Sequence, residues 1–341
     1  MKTYLITGGA GFIGCNYAQR LLQRGERVIV YDNLSRAGAQ KNVEWLREHG
    51  KRGELEFLRG DVRDFELLST SVARAAVVVH LAAQVAVTCS VRDPREDFEI
   101  NALGTLNVLE AGRISGHRPA VIYASTNKVY GNMGNAGVRE LETRYEYSAY
   151  LRGVSEDQAL DFQSPYGCSK GSGDQYARDY HRIYGLPTVV FRQSCIYGPH
   201  QYGIEDQGWV AWFMIAALSG QAVTIYGDGK QVRDLLYIDD LLDAYDLAVS
   251  HIDVAAGEVF NIGGGSLRSL SVWAEFGPLL QDLAQRKISV QFKDWRQGDQ
   301  KVYISDVTKL QAKLNWEPRI NPDKGLAELF QWLRKHCEPG G

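Results

Sequence analysis

The sequence predicts an α/β fold in which a doubly wound parallel sheet carries helices on both faces and adjoins a smaller α/β lobe. Three observations carry that expectation. Short β-branched apolar runs alternate with longer amphipathic stretches through the first half of the chain, as when each strand is followed by a helix crossing back over the sheet. The runs are apolar at successive positions, which suits strands buried on both faces. A glycine-rich turn, Thr7-Gly8-Gly9-Ala10-Gly11-Phe12-Ile13-Gly14, joins the first run to the first amphipathic stretch.

Strands are expected at 4–7, 28–31, 55–58, 77–80, 121–124 and 188–191. Helical spacing predicts helices over 12–24, 65–73 and 94–115. Ser164 as N-cap and Pro165 as first helical residue predict another helix from 164 through Tyr180. After Arg192 come loops rich in Gly, Tyr and Gln, with a helix over 209–218, a strand near Thr224-Ile225 and a helix over 239–250. No Pro/Ser-rich linker marks a boundary, so the expected division is interleaved. Residues 1–192 with about 235–260 form the larger, cofactor-binding unit, and 193–234 with 261–341 the substrate-facing lobe.

Composition narrows the function. With 341 residues, 45% hydrophobic and 23% charged, the chain is an ordinary globular one, not a disordered, collagen-like or coiled-coil protein. Lys and Arg number 38 against 41 Asp and Glu, a net charge of −3 without blocks of either sign, which argues against a nucleic-acid partner. No run approaches the ~20 apolar residues of a membrane span. Met1-Lys2 leads straight into a strand-like run, so no membrane partner and a cytoplasmic location are expected. The five cysteines form no CxxC pair, so they are expected to be reduced thiols, with no metal and no disulfide framework.

The glycine turn points to a dinucleotide. Gly8 serves a tight turn, Gly11 close approach to a pyrophosphate and Gly14 close packing of helix on strand, while Phe12 and Ile13 open the helix whose N–H groups meet the anion. Asp32, at the end of the second strand and followed by Asn33, offers a carboxylate to the ribose hydroxyls and repels a 2′-phosphate, which favours NAD. Arg36 is read as a surface charge, although an arginine there is also able to hold that phosphate. Asp61 and Val62 either cap the adenine or, at Asp61, begin a helix. Leu81, Ala82 and Ala83 supply small residues over which a dinucleotide passes, and His80 reads as an interior histidine.

Tyr166 and Lys170 stand four apart on one helix face, where an ammonium can act on a phenol. Making a phenolate available at neutral pH needs a fall of roughly 3 units from 10, or about 4 kcal/mol, which the lysine and a cationic nicotinamide are expected to supply. Ser125-Thr126 follows the fifth strand at the same sheet edge, next to Ala124, either as a substrate-binding hydroxyl or as a turn residue.

TGGAGFIG, Asp32, HLAA, STxxVYG and YxxxK occur in that order and together resemble the extended short-chain dehydrogenase/reductases that modify nucleotide sugars. The resemblance implies a Rossmann domain with tightly held NAD, Tyr166 as base, Lys170 on the ribose and the tyrosine, and Thr126 on the sugar hydroxyl. Members that dehydrate sugars carry Asp-Glu directly after the Thr, where this chain has Asn127 and Lys128. The segments at 125–131, 166–171, 206–210 and 295–300 look most like the CDP-paratose/CDP-tyvelose 2-epimerase branch, implying oxidation at C2 of a CDP-hexose. A UDP-hexose C4 epimerase and a noncatalytic NAD-binding protein are the alternatives.

The same resemblance assigns Arg233 and Arg296 to the diphosphate, where arginine's fork suits phosphate. Without the resemblance both read as solvated arginines. Cys195 stands where the family carries Asn, and Asn127, Gln207 and Trp209 belong with the sugar or base, a helix-capping loop being the other use of the last two. The long insertion between Gly131 and Ser164, with Tyr145, Tyr147 and Tyr150, is expected to be a lid or sugar-binding wall, or simply packed rings. Relatives commonly pair through two helices, for which 94–115 and 164–184 are the matching stretches, so a homodimer or higher homo-oligomer is expected.

Overall fold

The computed structural model describes residues 1–337 other than Lys51 and Gln297. Seven strands form one sheet: β1 (Thr3–Thr7), β2 (Arg27–Asp32), β3 (Glu54–Arg59), β4 (Val77–His80), β5 (Ala120–Thr126), β6 (Thr188–Gln193) and β7 (Val259–Ile262). Their order is β7-β6-β5-β4-β1-β2-β3, and every pairing is parallel. The order reverses between β1 and β4, which puts a crevice beyond the carboxyl ends of these strands beside the glycine turn. This is a Rossmann-like α/β sheet, and the uninterrupted burial of β4 and β6 is what a sheet covered on both faces requires.

The helices follow from local signals. Phe12–Gln23 buries Cys15, Tyr17, Ala18, Leu21 and Leu22 on one stripe and ends at the Gly25 turn. Phe65–Val72 is capped by Asp64, whose carboxylate accepts from Leu67 N at 3.2 Å. Asp61, the alternative start considered above, is therefore not the cap. The stretch 94–115 is not one regular helix: Pro94–Phe98 and Gly104–Ile114 flank a π-turn at Glu99–Leu103. The widened turn contains Asn101, whose amide is engaged by Gln84, Asp97 and Ser169. The long helix Ser164–Tyr184 starts as expected in substance: Ser164, at φ +65°, accepts from Gly167 N at 3.2 Å, the bond an N-cap makes.

Beyond β6 the chain builds smaller sheets. Val232–Tyr237 pairs with Cys195–Tyr197, Ser269–Ser271 and Val302–Tyr303, and Val223–Tyr226 pairs with Val290–Lys293. Helices Trp209–Ser219, Phe276–Ala284 and Pro322–His336 cover them. One apolar core runs from Ile6 and Val30 in the large sheet through Tyr197 and Leu236 to Phe276 and Leu329. The insertion after Gly131 is not a structureless lid. Val138–Glu140 and Tyr145–Tyr147 form an antiparallel hairpin, and Tyr145 and Tyr147 are buried with Val129, Tyr130, Val232 and Tyr303. Packed rings, the plainer reading, describe it.

Candidate active site

The crevice is shaped first by glycines. A Cβ on Gly8, whose φ is +68°, would lie 2.6 Å from Ala82 N, and one on Gly14 would lie 2.6 Å from Gly8 O. The turn therefore sits directly against Leu81 and Ala82 beyond β4, and the first helix directly against the turn. No acidic residue occupies that helix's first turn and no side chain caps it at Gly11, so the amides opening at Phe12 and Ile13 have no side-chain competitor for an anion. Asp32 accepts from Ala10 N at 3.0 Å and Leu34 N at 2.8 Å. Burial pushes its carboxyl up, against the pull of those two bonds and Arg36. Asn33 donates to Asp61 at 3.0 Å, and Asn107 donates to Val62 O at 2.9 Å, so Asp61 and Val62 stand fixed beside β2 and β3. A glycine floor that side chains would fill, bare helix amides and an acidic strand end fit a dinucleotide with free ribose hydroxyls. Arg36 is not a plain surface charge: it reaches across the crevice to hydrogen-bond Gln207 of the lobe.

The catalytic candidates meet at the ends of β5 and the long helix. Ser125 and Thr126 end β5, paired with Arg192 and Gln193 of β6. Their hydroxyls divide the work. Ser125 donates to Asp174 at 2.8 Å, within a buried ion pair in which Arg192 grips Asp174 through two bonds of 2.9 Å. Ser125 is thus committed to structure. Thr126 accepts from Lys128 N at 3.2 Å and acts on the Tyr166 phenol, lowering it. Tyr166 is 8% exposed.

Here the expected acidification meets a correction. Burial pushes the Tyr166 phenol up to about 12, with Thr126 and Arg36 lowering it and Asp97 raising it. The Lys170 ammonium lies 4.4 Å from the centre of the Tyr123 ring. Burial brings that ammonium down to about 7, against Asp174 and Asp97, which favour its charged form. Asp97 itself is fixed by Ser169 at 2.5 Å, Gln84 at 2.9 Å and Asn101 at 3.0 Å. Sequence reasoning missed this Asp97–Asn101 cradle, although two polar residues four apart on a helical face that also carries apolar residues were the available signal. His80 is an interior histidine, bonded to Thr7 and Thr105 and driven down to about 3 by burial.

On the lobe side, Arg233 is 8% exposed and holds Asp299 at 2.7 Å, so it is not a solvated arginine. Arg296 pairs with Asp206 at 2.9 Å and lies 3.9 Å over the Tyr226 ring. Cys195 accepts from the Trp209 indole at 3.4 Å, and burial pushes its thiol up. Of the 295–300 segment, Gln297 lies outside the described residues. Among the described residues no group of three or more potential ligands is placed to hold a metal ion, and no helix is long and apolar enough to cross a membrane.

Known proteins resemble this chain over nearly its whole length. The family described as GDP-mannose 4,6 dehydratase matches residues 5–329. CDP-paratose 2-epimerase of Salmonella typhi is 42% identical, over 96% of this chain and 98% of that protein. Among solved structures, the UDP-glucose 4-epimerase of Thermotoga maritima with UDP-glucose superposes with a TM-score of 0.83 at 35% identity, covering 98% of this chain and 100% of that one. A dTDP-glucose 4,6-dehydratase from Streptomyces venezuelae with NAD bound gives 0.84 at 30% identity, covering 98% and 97%.

Proposed function

The chain belongs to the GDP-mannose 4,6 dehydratase family of nucleotide-sugar epimerases and dehydratases, and on that premise we propose that it is an NAD-dependent epimerase inverting C2 of a CDP-linked hexose. One observation carries the choice of epimerisation over dehydration. Next to Thr126, which acts on the Tyr166 phenol, stand Asn127 and Lys128 rather than a carboxylate pair able to expel water. The likeness to CDP-paratose 2-epimerase supports C2 and the cytidine nucleotide; the likeness to UDP-glucose 4-epimerases supports the second reading, inversion at C4 of a UDP-hexose.

In the proposed reaction Tyr166 takes the proton of the sugar hydroxyl while Thr126 hydrogen-bonds the same oxygen, the sugar passes through its ketone, and the proton returns after the ketone has turned. When bound, NAD would supply the hydride acceptor and donor together with a further positive charge. Bringing a phenol at about 12 to neutrality needs about 5 units, roughly 7 kcal/mol. One unit charge at ~4 Å contributes about 4 kcal/mol at an effective dielectric constant of ~20, so a single cation beside the phenol falls short. Asp97 and Asp174 favour the charged form of Lys170, against the burial that brings it down to about 7. Cofactor contacts are assigned to Gly8, Gly11, Phe12, Ile13, Gly14, Asp32, Asn33, Asp61, Val62, Leu81, Ala82, Ala83, Ala124, Tyr166 and Lys170, and substrate contacts to Thr126, Asn127, Cys195, Gln207, Arg233 and Arg296. The interleaved division into cofactor and substrate units, and a cytoplasmic location, belong to the same proposal.

Incubation with CDP- and UDP-hexoses, with the inverted carbon identified by NMR, tests the assignment. Inversion at C2 of a CDP-sugar is expected; inversion confined to C4 of a UDP-sugar overturns it. Tyr166→Phe is expected to lose 10²–10⁴-fold in turnover while still binding NAD, and undiminished turnover in that variant removes the phenol from the mechanism.

A further inference from the structure

Lys128 has no part in the reaction as drawn so far, yet it occupies a particular place. It sits in the 3-10 turn Asn127–Tyr130 that Thr126 caps, two residues from the proposed catalytic hydroxyl. Its Nζ lies 3.6 Å from Asp299 Oδ1, the same oxygen that Arg233 holds at 2.7 Å. Gln300 N also donates to that oxygen at 3.0 Å, and the Gln300 amide donates to Gly131 O at 2.6 Å, so the Asp299 segment and the Lys128 turn are tied together. The Asp299 carboxylate thus stands between two cations, bonded closely to Arg233 and more loosely to Lys128. The Lys128 ammonium is partly desolvated, and it faces Asp299, Arg233 and Cys195.

We infer that Lys128 is a substrate-binding residue that holds the sugar-side phosphate of the nucleoside diphosphate, and that it thereby selects the carbon presented for oxidation. This rests on the proposed nucleotide-sugar chemistry and deepens it. The diphosphate is carried on C1. If C2 is the reacting carbon, the phosphate is attached to the neighbouring ring atom and must lie close to Thr126 and Tyr166. If C4 reacts, the phosphate lies across the ring from them. A cation on the turn that begins at Thr126 is where the C2 pose needs one, whereas Arg233, on the Val232–Tyr237 strand, continues the grip toward the nucleotide. The ammonium also answers the family's Asn-to-Cys exchange: Cys195 is a poor phosphate donor, and Lys128 is among the cations acting on its thiol.

Lys128→Met and Lys128→Gln, with Lys128→Arg as the charge-retaining control, are titrated with CDP and with CMP by calorimetry on the intact protein. CMP lacks the sugar-side phosphate. A charge-assisted hydrogen bond predicts a roughly 10- to 150-fold weaker Kd for CDP in the neutral variants, CMP affinity unchanged, and recovery of most of the loss in the Arg variant. Equal weakening of CDP and CMP, or CDP binding as tight as wild type, overturns the proposal. Wild-type protein that binds UDP and not CDP sinks the CDP reading instead, and the phosphate test is then read from UDP against UMP.

Discussion

Lys170 is 4% exposed, and burial has brought its ammonium from the ordinary 10.5 down to about 7. A lysine whose folded value lies below its unfolded one binds fewer protons in the native state between those two values. Folding stability therefore rises with pH from about 7 toward 10.5, and below 7 the full cost of a buried charge is present. Lys170→Met keeps the side-chain length and removes the charge. It is expected to raise the melting temperature at pH 7, to abolish that rise with pH, and to reduce turnover severely; thermal melts from pH 6.5 to 10 with turnover assays check all three. An unchanged pH slope in the variant would show that another group titrates. A residue whose removal stabilises the fold while harming the reaction is one retained for its chemistry.

At the scale of elements, the glycine turn is the joint on which the crevice depends. In Gly8→Ala the new Cβ meets backbone at 2.6–2.8 Å in a left-handed conformation, and backbone cannot yield as a flexible side chain does. The expected result is NAD affinity lowered by at least tenfold and a loss of about 1–3 kcal/mol in stability, read by NAD titration and chemical denaturation. This turn was legible in the sequence because strand, turn and helix are contiguous there, and six strands were legible for the same reason. β7 was not: Val259–Ile262 is four residues, one of them Asn261, reached only after a long excursion through the lobe. Asn261 is buried because the Tyr130 hydroxyl, Val154 O and Glu156 satisfy it, partners far away in the chain. The hairpin in the insertion escaped notice because its strands are three residues each and Val138–Glu140 is largely exposed. Tyr166, Lys170 and Thr126 could be picked out by type and spacing, whereas the upward pull on Tyr166 and the Asp299 clamp on Arg233 depend on burial and on contacts between distant segments.

At the scale of the molecule, the helices Pro94–Phe98, Gly104–Ile114 and Ser164–Tyr184 share a face on which Phe98, Tyr176, Ile183 and Tyr184 are exposed. We expect a second copy to cover that face in a homodimer. Ile183→Asp combined with Phe98→Asp is expected to give a monomer by light scattering with the far-ultraviolet dichroism of the parent; a wild-type protein that already runs as a monomer defeats the expectation.

The path of the backbone carries one more consequence. It leaves the seven-stranded sheet after β6, joins the lobe at Cys195–Tyr197, returns for β7 and departs again. Because the main chain passes between the large sheet and the smaller ones more than once, a protease cut in a single crossing is expected to leave fragments held together by the core they share. Neither half is then expected to be a transplantable module, and breathing of the cleft is expected to flex several parallel connections at once instead of swinging on a lone hinge.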